Sequence, residues 1–124
     1  MNVEVIAIST DTQFSHWMWK KTSPSIKNVE YPMAADHSGA VARAYGVYNA
    51  KTGMAYRGRF IISPDGYVKA VEILTPPLGR NVNELIRQIK ALQAIAKHPG
   101  KAAPAGWEPG KKLIGTGKDY IGVY

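Results

Sequence analysis

Two strand-like runs, Tyr56 to Ile62 and Tyr67 to Leu74, flank the tetrapeptide Ser63-Pro64-Asp65-Gly66. Proline favours the first central position of a turn, and glycine accepts a positive φ that other side chains resist. The pattern predicts an antiparallel hairpin, the clearest single element of the chain. Strand alternation places Arg57 on one face with Arg59 and Ile61, opposite Tyr56, Gly58 and Phe60.

A helix is predicted directly after the hairpin. Asn81-Val82-Asn83-Glu84 matches a capping box, in which Asn81 accepts from the Glu84 amide and Glu84 reaches back. Val82, Leu85, Ile86, Ile89, Leu92 and Ala96 mark one apolar face, and Pro99-Gly100 stops the helix. Before the hairpin, the β-branched run Val3 to Ile8 suits a strand buried on both faces. The capping residues Ser9-Thr10-Asp11-Thr12 then open a helix whose Phe14, Trp17 and Met18 are expected in the core. Thr22-Ser23-Pro24-Ser25 breaks it, Tyr31 to Ala35 gives a short extended segment, and Asp36-His37-Ser38-Gly39 turns the chain. Val41, Ala42 and Tyr45 share the face of a short helix that Gly46 ends as a left-handed residue.

The order β-α-β-α-β-β-α is that of the later part of a thioredoxin-like fold: α/β, with a central mixed sheet and flanking helices. From Lys97 onward the composition shifts to Gly, Pro and Lys, with Trp107, Tyr120 and Tyr124 as the large aromatic anchors. Such a segment cannot build its own core, so it is expected as an extended C-terminal tail, mobile or laid across another surface.

With 124 residues and 45% hydrophobic content, the chain has enough material for one core without a disulfide or structural metal. It contains no cysteine, which excludes a disulfide framework, a thiolate zinc site and a cysteine nucleophile within this sequence. The net charge of +7 is scattered in short pairs such as Lys20-Lys21 and Lys111-Lys112, and no nucleic-acid motif accompanies it. A solvated basic surface is the expectation, not nucleic-acid binding. Neither a leader pattern nor an apolar stretch near the ~20 residues of a membrane helix is present, so a soluble, cytoplasmic protein is expected. His16, His37 and His98 have no zinc-motif spacing and are assigned surface or capping roles. Gly110, Gly115 and Gly117 follow no strand that would make a nucleotide loop. No cofactor and no metal are expected.

Several segments resemble the peroxiredoxin family, of the alkyl hydroperoxide reductase, typical two-cysteine type. Ser9-Thr10-Asp11-Thr12-Gln13-Phe14-Ser15-His16 followed by Trp19 is similar to the family's strand-to-helix segment, and Tyr31 to Asp36 with Tyr45 to Tyr48 to the segment after it. Tyr56-Arg57-Gly58-Arg59-Phe60-Ile61-Ile62-Ser63-Pro64-Asp65-Gly66 resembles the arginine-bearing hairpin, and Gly79-Arg80-Asn81-Val82-Asn83-Glu84-Leu85 the start of the long helix. The likeness runs collinearly from Val3 to about Gly110. It implies a partial thioredoxin-like domain over residues 1–98 and a two-cysteine-type tail over 99–124.

The resemblance implies reduction of hydrogen peroxide and organic hydroperoxides, with a thioredoxin-like or flavoprotein reductant and a homo-oligomeric assembly. Arg57 corresponds to the family arginine that stabilises thiolate and peroxide, and Arg80 to a second, supporting arginine. The resolving cysteine directly precedes the first proline of a Pro-x-x-Trp pattern, and Ala103 stands at that position. The family's opening strands and its Pro-x-x-x-Thr-x-x-Cys loop have no counterpart before Met1. The chain is therefore expected to be inactive alone. One version of this expectation places an upstream selenocysteine at the peroxidatic position; another reading is a non-catalytic oligomeric or binding protein.

Overall fold

The computed structural model describes residues 1–123, so the predicted anchor Tyr124 lies outside the described residues. The fold comprises two compact units, Asn2–Gly79 and a second that begins at Arg80 and includes Met1.

In the first unit, β1 (Ala7–Ser9), α1 (Gln13–Thr22), β2 (Met33–Ala35) and α2 (Ala40–Ala44) follow one another. The chain continues through β3 (Tyr48–Asn49), β4 (Met54–Ala55), β5 (Arg57–Ile62) and β6 (Val68–Leu74). β1 and β2 are parallel, whereas β3–β4 and β5–β6 are antiparallel. Among the described residues the strands pair two by two, without hydrogen bonds joining the pairs into one central sheet. Parallel and antiparallel pairing thus coexist, as a mixed α/β chain requires, and β1 and β5 each keep an edge without a described partner.

Burial corrects the reading of the first strand. Val3 to Ile6 lies outside β1, and Val3, Val5, Ile6 and Ile8 are exposed. A strand is buried on both faces only where a packed layer covers each face, and the exposure of these side chains shows that no layer among the described residues covers them. The stripe on α1 is corrected for a similar reason. Phe14, Trp17 and Met18 are exposed by 72%, 62% and 50%, and the buried side chain of the helix is His16. α1 packs on β2, and His16 is the side chain that the helix buries. Its ends agree with the sequence: Thr12 Oγ1 accepts from the Ser15 amide at 3.3 Å, and the Ser23 amide closes the last turn on Trp19 O at 2.9 Å.

Asp36 organises the turn into α2. Its buried carboxylate accepts from the amides of Ala42 at 2.8 Å and Val41 at 3.1 Å, so it caps a helix whose N-cap residue, Gly39, has no side chain. Those amide hydrogen bonds, the Ala42 one first, hold the Asp36 carboxyl below its ordinary pKa against the opposing effect of burial. Gly46, at φ +70°, ends the helix as its spacing predicts. Ala42 and Val47 form the buried apolar centre here, and Tyr45 meets Phe60 of β5 edge-on at 4.8 Å.

In the second unit, α3 (Val82–Lys97) starts at Asn81, whose Oδ1 accepts from the Glu84 amide at 3.1 Å. The segment after it is more ordered than its composition suggests. β7 (Lys101–Ala102) pairs antiparallel with β8 (Ile114–Gly115), and a 3-10 turn, Lys118–Tyr120, follows. Within the loop so closed, Trp107 is 5% exposed; its indole N–H donates to Lys111 O at 2.9 Å. Arg87 of α3 donates to Trp107 O at 2.9 Å, so the loop is laid on the helix, one of the two predicted outcomes.

Candidate functional site

Arg57 opens β5, and local backbone contacts place it. The amide of Tyr56 donates to Val47 O at 2.8 Å, which ties the strand entry to the α2–β3 connection. Gly58 then allows close packing: a Cβ there would stand 3.0 Å from Val47 Cγ1 and 2.9 Å from the Phe60 ring. A larger residue there would force the Val47 or Phe60 side chain to give way beside Arg57. The Ser63–Gly66 turn closes with the Gly66 amide donating to Ser63 O at 2.9 Å and Gly66 at φ +85°. The Ser63 hydroxyl bonds the Asp65 carboxylate and lowers its pKa.

The register sets Arg57 opposite Leu74 and Arg59 opposite Glu72. The two arginines differ sharply. Arg59 has only 9% of its side chain exposed, and its Nη2 lies 3.2 Å from Glu72 Oε1, whose side chain is 31% exposed. Arg57 is exposed and has no hydrogen bond, ion pair or ring contact among the described residues. A free guanidinium presents up to five N–H donors and a permanent positive charge to an incoming oxygen ligand.

Arg80 is exposed just before the N-cap Asn81. A positive charge near a helix N-terminus is mildly unfavourable, and no carboxylate pairs with Arg80 among the described residues. Ala103 is half-buried directly after β7, where Pro104 begins the turn that the Trp107 amide closes on Pro104 O at 3.0 Å.

A polar cluster at the end of β1 went unrecognised in the sequence. Ser9 Oγ donates to Asp11 Oδ2 at 2.7 Å and lies 2.5 Å from His16 Nε2. His16, assigned a surface or capping role, is 8% exposed, and its Nδ1 is buried without a partner. With the serine proton on Asp11, His16 Nε2 donates to Ser9 Oγ, and in that arrangement the imidazole holds the hydroxyl in place and is not its base. The cluster fixes a strand-to-helix turn; it is not a nucleophilic triad. The signal available was the run Ser9-x-Asp11 with His16 one turn inside the helix. His98 keeps its capping role, with Nδ1 2.8 Å from Ala94 O, and His37 is exposed. No cluster of three or more metal-binding side chains occurs among the described residues. No helix among them is long and apolar enough to cross a membrane.

An α/β chain with an arginine-bearing hairpin ahead of a long helix is the arrangement of thioredoxin-like peroxidase folds, and comparison with known proteins agrees. Residues 1–71 match the model of the AhpC/TSA family, and residues 91–119 match the C-terminal domain of 1-Cys peroxiredoxin. This chain belongs to the AhpC/TSA family of peroxiredoxins. It is 41% identical over 122 residues to alkyl hydroperoxide reductase C of Amphibacillus xylanus, covering 98% of this chain and 65% of that protein. It is 43% identical over 127 residues to the selenocysteine-containing peroxiredoxin PrxU of Peptoclostridium acidaminophilum, covering 98% of this chain and 62% of that protein. The crystal structure of Enterococcus faecalis AhpC superposes with a TM-score of 0.79 at 42% identity, over 83% of this chain and 62% of that one. The chain thus spans somewhat less than two thirds of the length of these relatives.

Proposed function

We propose that this chain contributes the arginine-bearing part of a peroxide-reducing site whose sulfur or selenium nucleophile belongs to family sequence outside these 124 residues. The observation that carries the reading is the exposed, unpaired Arg57 guanidinium in a peroxiredoxin chain without cysteine. In such a site a thiolate or selenolate attacks the terminal peroxide oxygen, the O–O bond breaks, and the departing oxygen takes a proton to leave as water or an alcohol. Arg57 would hold the nucleophile in its anionic form and donate to the peroxide oxygens while charge moves onto the leaving oxygen. Arg80 would support that arrangement. Residues 1–98 then serve as the thioredoxin-like part, and residues 99–124 as the tail in which Ala103 occupies the resolving position.

With alanine there, the oxidised nucleophile is recycled by an external thiol, from a thioredoxin-like or flavoprotein reductant. The substrates are hydrogen peroxide and organic hydroperoxides, the assembly is a homo-oligomer, and the setting is the cytoplasm. A selenocysteine is one candidate for the nucleophile, the selenocysteine-containing relative being as similar to this chain as the alkyl hydroperoxide reductases are. The DNA upstream of Met1 tests this: an in-frame UGA within a Pro-x-x-x-Thr-x-x-U context is expected, and its absence removes the selenium version. Joining a family front segment with its Pro-x-x-x-Thr-x-x-Cys loop tests the site itself, with restored peroxide consumption as the expected result.

A second reading is a non-catalytic oligomeric scaffold or binding protein. The exposed Phe14, Trp17 and Met18 of α1 favour it, since grouped apolar side chains mark interaction surfaces. A joined protein that folds and assembles yet leaves peroxide untouched would select this reading.

A further inference from the structure

We propose that Arg59 is a positioning residue which, by holding Glu72, keeps the neighbouring Arg57 guanidinium unpaired. That an open Arg57 meets a peroxide rests on the reading above; the competition among the three side chains does not.

Arg57 and Arg59 lie two residues apart on one strand, so they share a face, and their cross-strand partners Leu74 and Glu72 share it with them. Glu72 is therefore the diagonal neighbour of Arg57. Diagonal neighbours stand about 7–8 Å apart, within reach of side chains as long as arginine and glutamate. Two guanidinium groups thus compete for one carboxylate.

Burial decides the competition. The Arg59 side chain is 9% exposed, and a guanidinium removed from water without a counter-charge is strongly disfavoured. Arg57 is exposed, so water satisfies it at little cost. Glu72 accordingly lies 3.2 Å from Arg59 Nη2 and leaves Arg57 without an ion pair. The contact is an ion pair without a hydrogen bond from Arg59 Nη2, and Glu72 Oε2 is buried with no donor among the described residues, so the carboxylate retains acceptor capacity. With Arg59 gone, the one cation left on this face of the hairpin is Arg57, and Glu72 should turn to it. The open arginine is then a consequence of its buried neighbour.

Side-chain NMR of the chain itself tests this by following the Arg57 Nε–H resonance across the titration of Glu72. In the unsubstituted chain the resonance should stay flat, and E72Q should leave it in place. In R59M it should move with the glutamate titration, and the double variant R59M/E72Q should return it to its original position. R59K, which retains a buried cation, should also leave it flat. A resonance that follows Glu72 in the unsubstituted chain, or that E72Q alone displaces, overturns the proposal, and so does a flat resonance in R59M. If R59M fails to fold, the unsubstituted and E72Q measurements still decide. No peroxide enters the experiment, so a peroxide-inert joined protein would sink the site reading while leaving this result standing.

Discussion

Arg87 joins two parts of the second unit through Trp107: its Nη1 donates to the Trp107 carbonyl at 2.9 Å, while Nε and Nη2 grip Glu84 at 2.7 and 2.8 Å. The Glu84 hydrogen bonds, chiefly, raise the Arg87 pKa, so the link stays charged at every ordinary pH. Arg87→Met should loosen the loop between β7 and β8 while α3 persists. Trp107 fluorescence should shift to the red, and proteolysis between Lys101 and Gly117 should speed up. Unchanged emission and cleavage would show that the loop holds without the arginine. Trp107→Ala, which empties a buried indole site, should destabilise the unit by about 3 kcal/mol or more.

Asp36 gives the first unit an acid-sensitive cap. Its folded pKa lies below the unfolded one, chiefly because the Ala42 amide donates to the carboxylate. A depressed carboxylate stabilises the fold above the ordinary aspartate pKa of about 3.9, and that contribution is lost as pH falls through the lower folded value. Asp36→Asn should therefore lower the melting temperature at pH 7 and matter progressively less below about pH 4. Thermal denaturation at several pH values measures this, and a penalty independent of pH would contradict the role of the charge.

The elements legible in the sequence were those whose signals are local. Ser63-Pro64-Asp65-Gly66, the Asn81 cap and Gly46 each act over a few residues, and each sits where its spacing placed it. The misreadings concern which surface an element meets. Phe14, Trp17 and Met18 form a proper helical stripe, yet a stripe shows only that a face is apolar, and α1 turns that face outward and His16 inward. The β7–β8 ladder joins residues more than ten positions apart through two-residue strands, too short for any periodicity. At the site, alternation put Arg57 and Arg59 on one face correctly. It was silent on why one is exposed and the other buried against Glu72, because burial depends on the packing above the face.

Self-association should follow from the second edge of β6. Val68, Val71 and Ile73 are about half exposed on a strand whose one partner among the described residues is β5. Such an edge presents free backbone donors and acceptors beside apolar side chains, a ready template for pairing with another copy. Sedimentation should show a species heavier than the monomer, and Val71→Lys should shift it toward monomer. A stable monomer at high concentration would remove β6 as an interface.

Arg57 offers the most direct test of function. The chain alone should show no thiol-dependent turnover of hydrogen peroxide or an organic hydroperoxide, because it has no cysteine to form a sulfenic acid. Joined to a front segment carrying the Pro-x-x-x-Thr-x-x-Cys loop, it should consume peroxide with a small thiol as reductant, and Ala103 need not be changed. The resolving position governs recycling, whereas thiolate activation and O–O cleavage depend on the local positive field and hydrogen-bond donors. In that protein Arg57→Ala should slow thiol oxidation by about one to three orders of magnitude, the scale of losing a preorganised donor from a reacting centre. Arg59→Ala should cost less, since Arg57 remains though drawn to the released Glu72, and adding Glu72→Gln should recover that part of the rate. Stopped-flow oxidation measures both rates and circular dichroism confirms the fold; equal, minor losses would return Arg57 to the ordinary charges of a solvated strand.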